Sequence, residues 1–155
     1  MLRITLASLH LLALSLGMMA TVLRGSALRE PLTAASLKRA LRLDNIWGIA
    51  AALWIITGLW RLLAGVEKPL AYYLSNHLFL AKMGCFALIF LLEIWPMLTL
   101  MRARLALRRG ADPAAIVVPA AKGIALIGHV QATIALVMIF LAVAMARGYG
   151  VMATP

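Results

Sequence analysis

The chain has 155 residues, 65% of them hydrophobic and 13% charged, with 15 Lys+Arg against 5 Asp+Glu and a net charge of +10. A soluble domain of this size has too high a surface-to-volume ratio to hide so much apolar side chain, so the composition excludes a water-dissolved fold and points to lipid. The basic excess gathers in two connections, which argues against nucleic acid as a partner and for anionic membrane lipids.

Apolar runs at 2–23, 45–64, 75–109 and 119–146 each reach the roughly 20 residues a helix needs to cross a hydrocarbon core. None alternates as a barrel strand does. They predict an all-α integral membrane four-helix bundle, one domain over 1–155. The first run opens on Arg3 but is longer than a signal-peptide core. It ends at Leu23-Arg24 without a small-x-small site and reads as a retained helix. His10 shares a face with Ala7, Ala13, Leu14 and Gly17, whose small members leave room beside its imidazole. Such a ring either hydrogen-bonds a neighbouring helix or ligates a metal, and haem iron suits an apolar slot between helices.

Pro31 punctuates the first connection, and Thr33 or Ser36 can cap a short helix after it. Leu37, Ala40 and Leu41 fall on one face beside Lys38, Arg39 and Arg42. This predicts an amphipathic helix at about 33–42 lying in the headgroup layer, with partner docking as the alternative. In the second run Gly48, Ala51, Ala52 and Gly58 form a small-residue side suited to close helix approach. Trp47, Trp54 and Arg61 recur every seven residues on one face. Trp60, Tyr72 and Tyr73 suit an interfacial belt.

The third run holds both Lys82 and Glu93. A charge at membrane depth costs about 2.5–3.5 kcal/mol, so each should face the bundle interior, a partner or water. Eleven residues apart, they share a face but lie about 16 Å apart along the helix and cannot pair directly. Lys82 either snorkels or holds a carboxylate or a proton. Glu93 is expected to meet Arg24, Arg42 or Lys122, with proton relay as the sharper alternative. Pro96 should bend this helix, Gly110 should end it, and Asp112-Pro113 reads as a cap and first position. The single Cys85 excludes an internal disulfide. In the fourth run His129 should be hydrogen-bonded, near Gln131 or Thr133.

Arg24, Arg29, Lys38, Arg39 and Arg42 fall in one connection, and Arg102, Arg104, Arg108, Arg109 and Lys122 in another. The opposite side holds Arg3, Arg61, Lys68 and Arg147. The positive-inside rule then makes the basic loops cytoplasmic and both termini external, in a bacterial inner membrane; a reporter fused at Pro155 should be periplasmic. By this count His10, Lys82 and Arg61 share the outer half, with Asn76, Tyr72 and Tyr73 above them, while His129 falls in the opposite leaflet. These six are the predicted cofactor-binding set, His10 the candidate iron ligand, and Lys82 and Glu93 the candidate catalytic groups.

Arg42-x-Asp44, Trp47-Gly48, Thr57-Gly58-Leu59-x-Arg61, Tyr72-Tyr73, Asn76-x-x-Phe79-x-x-Lys82 and Pro96 resemble an uncharacterised family of bacterial four-helix predicted membrane proteins. More distantly, the layout is similar to HemJ-type protoporphyrinogen oxidases and to the CopD copper-resistance membrane domain. His10 and Lys82 match in position a histidine and a lysine of the HemJ type, and Leu80 stands where that type carries a further histidine. The resemblance implies haem b and oxidation of a porphyrin precursor, with electrons passed to a membrane acceptor such as a quinone. Nine methionines invite Cu(I) as an alternative. A further alternative is a non-catalytic accessory subunit, a homo-oligomer or part of a larger membrane complex.

Overall fold

A computed structural model describes residues 1–29, 31–65 and 67–151, so Pro155 lies outside the described residues. The elements are α1 (Leu2–Arg29), α2 (Ala34–Leu63), a short α3 (Leu70–Leu74), α4 (His77–Arg108), a 3-10 turn (Pro113–Ala115) and α5 (Ala121–Ala146). Among the described residues there is no strand, and a lone antiparallel bridge joins Asn76 to Val151. α1, α2, α4 and α5 are long and apolar enough to cross a membrane. Their 28, 30, 32 and 26 residues span about 39–48 Å at 1.5 Å per residue, beyond a hydrocarbon core of about 30 Å.

α1 is the central element. It packs along α2 and α5, and α4 packs along α5, while α2 and α4 make little direct contact. The expected small-residue side of α2 is not where the helices come closest. Gly48 has open space around it and Ala52 is exposed. The tight crossing is between α1 and α5, where a Cβ on Gly128 would meet the Thr21 carbonyl oxygen at 2.7 Å and one on Gly25 would meet the Ala125 Cα at 3.0 Å.

Two boundaries differ from the sequence expectation. α1 continues past Leu23 to Arg29, and α2 runs unbroken where separate helices at 33–42 and 45–64 were expected. Leu37, Ala40 and Leu41 do not face outward toward lipid headgroups. They are buried against Ala27, Leu28, Leu100 and Ile124 at the end of the bundle that carries the basic connections. An apolar stripe beside cations fits either environment, and the extra turns of α1, with Leu100 and Ala103 of α4, supply a protein surface for it. Arg24 and Arg104 therefore belong to helices, not to loops, and are spent on internal ion pairs. Thr33 is the N-cap of α2 and forms a capping box with Ser36. Asp112 caps the 3-10 turn ahead of Pro113, as its sequence predicts. Pro96 is buried inside α4.

The α2–α4 connection closes the opposite end, which also holds Met1 and Val151. Asn76 is fully buried there as the N-cap of α4. Its Oδ1 accepts from Leu78 N at 2.9 Å and Phe79 N at 3.3 Å, and its Nδ2 donates to the Tyr149 carbonyl at 3.0 Å. Asn76→Ala is expected to cost about 1–2 kcal/mol through the lost cap and to free the tail after α5. Thermal unfolding in detergent, with proteolysis of the tail as a second readout, checks this.

Candidate functional site

Two open cavities, of about 350 Å³ and about 300 Å³, occupy the half of the bundle nearest the termini. These two lobes adjoin along His10, Trp54, Arg61, Tyr73, Lys82, Met138 and Met145, which line both. The volume is in the range of ligand-binding clefts, and the walls combine apolar side chains with a few polar ones. The heptad spacing of α2 builds one wall. Trp47 packs on Gly17, Trp54 is buried, and Arg61 faces the cavity. α1 contributes His10, eight residues or about 12 Å from its start. α4 contributes Lys82, and α3 brings Tyr72 and Tyr73.

His10 has a defined hydrogen-bond partner. Its Nδ1 lies 2.9 Å from Thr57 Oγ1. The single hydroxyl hydrogen of Thr57 is directed to its own helix, with the Leu53 carbonyl at 2.7 Å and the Trp54 carbonyl at 3.2 Å. Thr57 can then accept from His10, the arrangement in which a neutral imidazole carries its proton on Nδ1 and its lone pair on Nε2. Gly58 makes this approach possible, because a Cβ there would sit 3.0 Å from His10 Cε1. The imidazole lies tilted against Trp54, with ring centroids 5.9 Å apart.

The cations are incompletely matched. Arg61 reaches Glu67 at 3.3 Å in a part-exposed pair, but its buried Nε has no hydrogen-bond partner. No described acid pairs with Lys82. Tyr72 donates to the Met145 carbonyl at 3.0 Å and carries Lys68 over its ring at 4.5 Å. Burial raises the Tyr73 phenol above its ordinary pKa, so it stays neutral at physiological pH. Five of the six predicted residues thus converge. The sixth, Asn76, does not line the cavity; its polar atoms are committed to capping α4 and holding the tail. A polar residue directly before a long apolar run is an N-cap signal, and that signal could have identified its role.

Glu93 lies away from this cavity, in a second polar centre nearer the basic connections. Arg24, fully buried, forks onto Glu93 at 2.5 and 2.9 Å and reaches Asp44 at 2.7 Å. Arg104 bonds the second oxygen of Asp44 at 2.6 Å, Asn45, and the Leu41 carbonyl at 2.8 Å. Gln131 donates to Glu93 at 2.9 Å and to the Ile89 carbonyl at 3.1 Å. Two cations and two carboxylates balance, so the centre ties four helices together without net charge. Of the three cations expected for Glu93, Arg24 is its partner. His129 is exposed, its Nδ1 lies 2.8 Å from the Ala125 carbonyl of its own helix, and its own carbonyl accepts from Thr133 at 3.0 Å. Among the described residues no group of three or more His, Cys, Asp and Glu could hold a metal ion.

Four packed helices long and apolar enough to cross a membrane define an integral membrane protein. The chain belongs to the family described as predicted membrane protein (DUF2214), whose model matches residues 2–150. No curated protein and no solved structure matches it.

Proposed function

We propose that the protein binds haem b in the shared cavity and works as a redox protein of the bacterial inner membrane, related to the HemJ type. The observation that carries this is the convergence of His10, Arg61 and Lys82 on one apolar space, with His10 Nδ1 lying 2.9 Å from Thr57 Oγ1. The donor set fits the group. An imidazole whose Nδ1 is held by a hydrogen bond offers Nε2 to iron, and Arg61, with its orphaned Nε donor, and Lys82 suit two propionates. Haem there would supply one-electron chemistry. Thr57 would orient the ligand, Arg61 and Lys82 would hold carboxylates of haem or of a porphyrin substrate, and Tyr72 and Tyr73 would wall off the end of the cavity. His129, on the other polar end, is no second ligand. With the basic connections placed in the cytoplasm, the cavity lies in the outer half of the membrane.

Detergent-purified protein should then show a Soret band. His10→Ala should abolish it, and Lys82→Ala should weaken haem retention while leaving the band position unchanged. A preparation that stays colourless after haem addition overturns the proposal. Cu(I) is the second reading, favoured by Met83, Met138 and Met145 lining the cavity with His10. Two cationic side chains in the same space oppose a bound metal cation and place this reading behind haem. Copper in metal analysis, lost in Met138→Leu, would reverse that order. Stable co-purification of one partner with a cofactor-free chain would instead favour the accessory-subunit role.

A further inference from the structure

We infer that the cavity is entered sideways from the bilayer, through an opening between α2 and α4, by an amphiphile dissolved in the lipid that carries an anionic group. The bundle has three well-packed sides, α1 on α2, α1 on α5 and α4 on α5, and its fourth side is where α2 and α4 scarcely meet. The larger lobe lies on that side. Ile55, Gly58 and Leu59 of α2 face Met83, Phe86 and Phe90 of α4 across it. Its rim is apolar and reaches the surface, since Leu59 is 50% and Phe90 37% exposed. The neighbouring outward residues Leu53, Ile56, Leu80 and Leu91 are also exposed and apolar, so what surrounds this opening is hydrocarbon.

The smaller lobe has a different rim. Glu67, Lys68 and Tyr72 of the connection between α2 and α4 form its charged rim, while Leu11 of α1 and Val143 of α5, 55% and 51% exposed, line its side. Charged side chains at that rim place it against water or headgroups. Direct access along the bundle axis is obstructed by α3, which Tyr72 pins to the end of α5 through the Met145 carbonyl. Arg61 and Lys82 line both lobes. An apolar body would therefore enter between α2 and α4, and its carboxylate or phosphate would come to rest on the two cations beside the polar rim. This deepens the haem reading, because haem is such an amphiphile, by assigning the direction from which it arrives.

The test needs no ligand, so its failure is separate from failure of the haem reading. In a Cys85→Ala background, Met83→Cys places a thiol in the lobe between α2 and α4, and Lys68→Cys places one at the charged rim of the other lobe. In lipid vesicles the thiol at 83 should react with pyrene maleimide, which partitions into the bilayer, faster than with a charged water-soluble thiosulfonate. The ratio, relative to that at 68, should be on the order of a hundredfold, as expected for exclusion of a charge from hydrocarbon. Leu59→Trp should slow the reaction at 83 and leave 68 unchanged. Leu62→Cys, on the opposing wall, repeats the measurement if Met83→Cys does not fold. Equal reagent preference at both positions, a folded variant inert to both reagents, or no effect of Leu59→Trp would each overturn the portal.

Discussion

Arg24→Leu is expected to destabilise the protein by about 3–5 kcal/mol, the cost typical of removing one partner from a buried ion pair. That is a large part of the roughly 5–15 kcal/mol that separates a folded domain from its unfolded chain. The size of the effect lies in the groups left behind. Asp44 would keep Arg104, but Glu93 would keep only the Gln131 amide at 2.9 Å among the partners described for it. A carboxylate at that depth must then bind a proton or draw water into the bundle, and either change loosens four helices at once. The charge argument also predicts a rescue. In Arg24→Leu/Glu93→Leu the Asp44–Arg104 pair stays intact and no unpaired carboxylate is left, so the double variant should be more stable than Arg24→Leu alone. Thermal melting in detergent followed by size exclusion reads both results. A single variant as stable as the parent, or a double variant less stable than the single one, would show that the network is not what holds this half together.

The same network shows where sequence reading succeeds and where it stops. The four spans were legible because hydropathy over about 20 residues records the solvent of a helix directly. The end of α1 and the start of α2 were not, because Arg24, Arg42 and Asp44 interrupt the apolar pattern as a loop would. Only the fold reveals that Arg24 and Asp44 face each other across two helices that continue past them. Counting residues from helix ends brought His10, Arg61 and Lys82 to one level, since depth depends on rise per residue alone. Thr57 as the partner of His10 was out of reach, because it depends on how α1 and α2 are rotated about their axes. Depth likewise narrowed Glu93 to three cations but could not choose among them. Asn76 was misplaced for another reason: at the right level for a ligand contact, it already had a local task in capping α4.

Gly128→Ala should destabilise the protein by about 1–3 kcal/mol, the usual cost of overpacking, and Gly128→Leu should prevent the bundle from closing. The added Cβ would lie 2.7 Å from the Thr21 carbonyl oxygen. This is backbone at the centre of α1 and cannot rotate away as a side chain end can. Relief requires α1 and α5 to separate, which also spoils the contact of Gly25 with Ala125 one step along the crossing. Lipid offers no hydrophobic drive to push the helices back together, so close packing of small residues has to supply the attraction. The series Ala13, Gly17, Thr21, Gly25 at intervals of four was present in the sequence as a small-residue stripe, and every member is buried. Gly48 provides the matched control. It lies mid-helix in α2 with open space around its Cα, so Gly48→Ala should stabilise by about 0.5–1 kcal/mol through backbone entropy alone. Measured side by side by thermal unfolding in one detergent, the two glycine-to-alanine changes should move the melting temperature in opposite directions. Equal shifts would mean that α1 and α5 do not cross at Thr21 and Gly128.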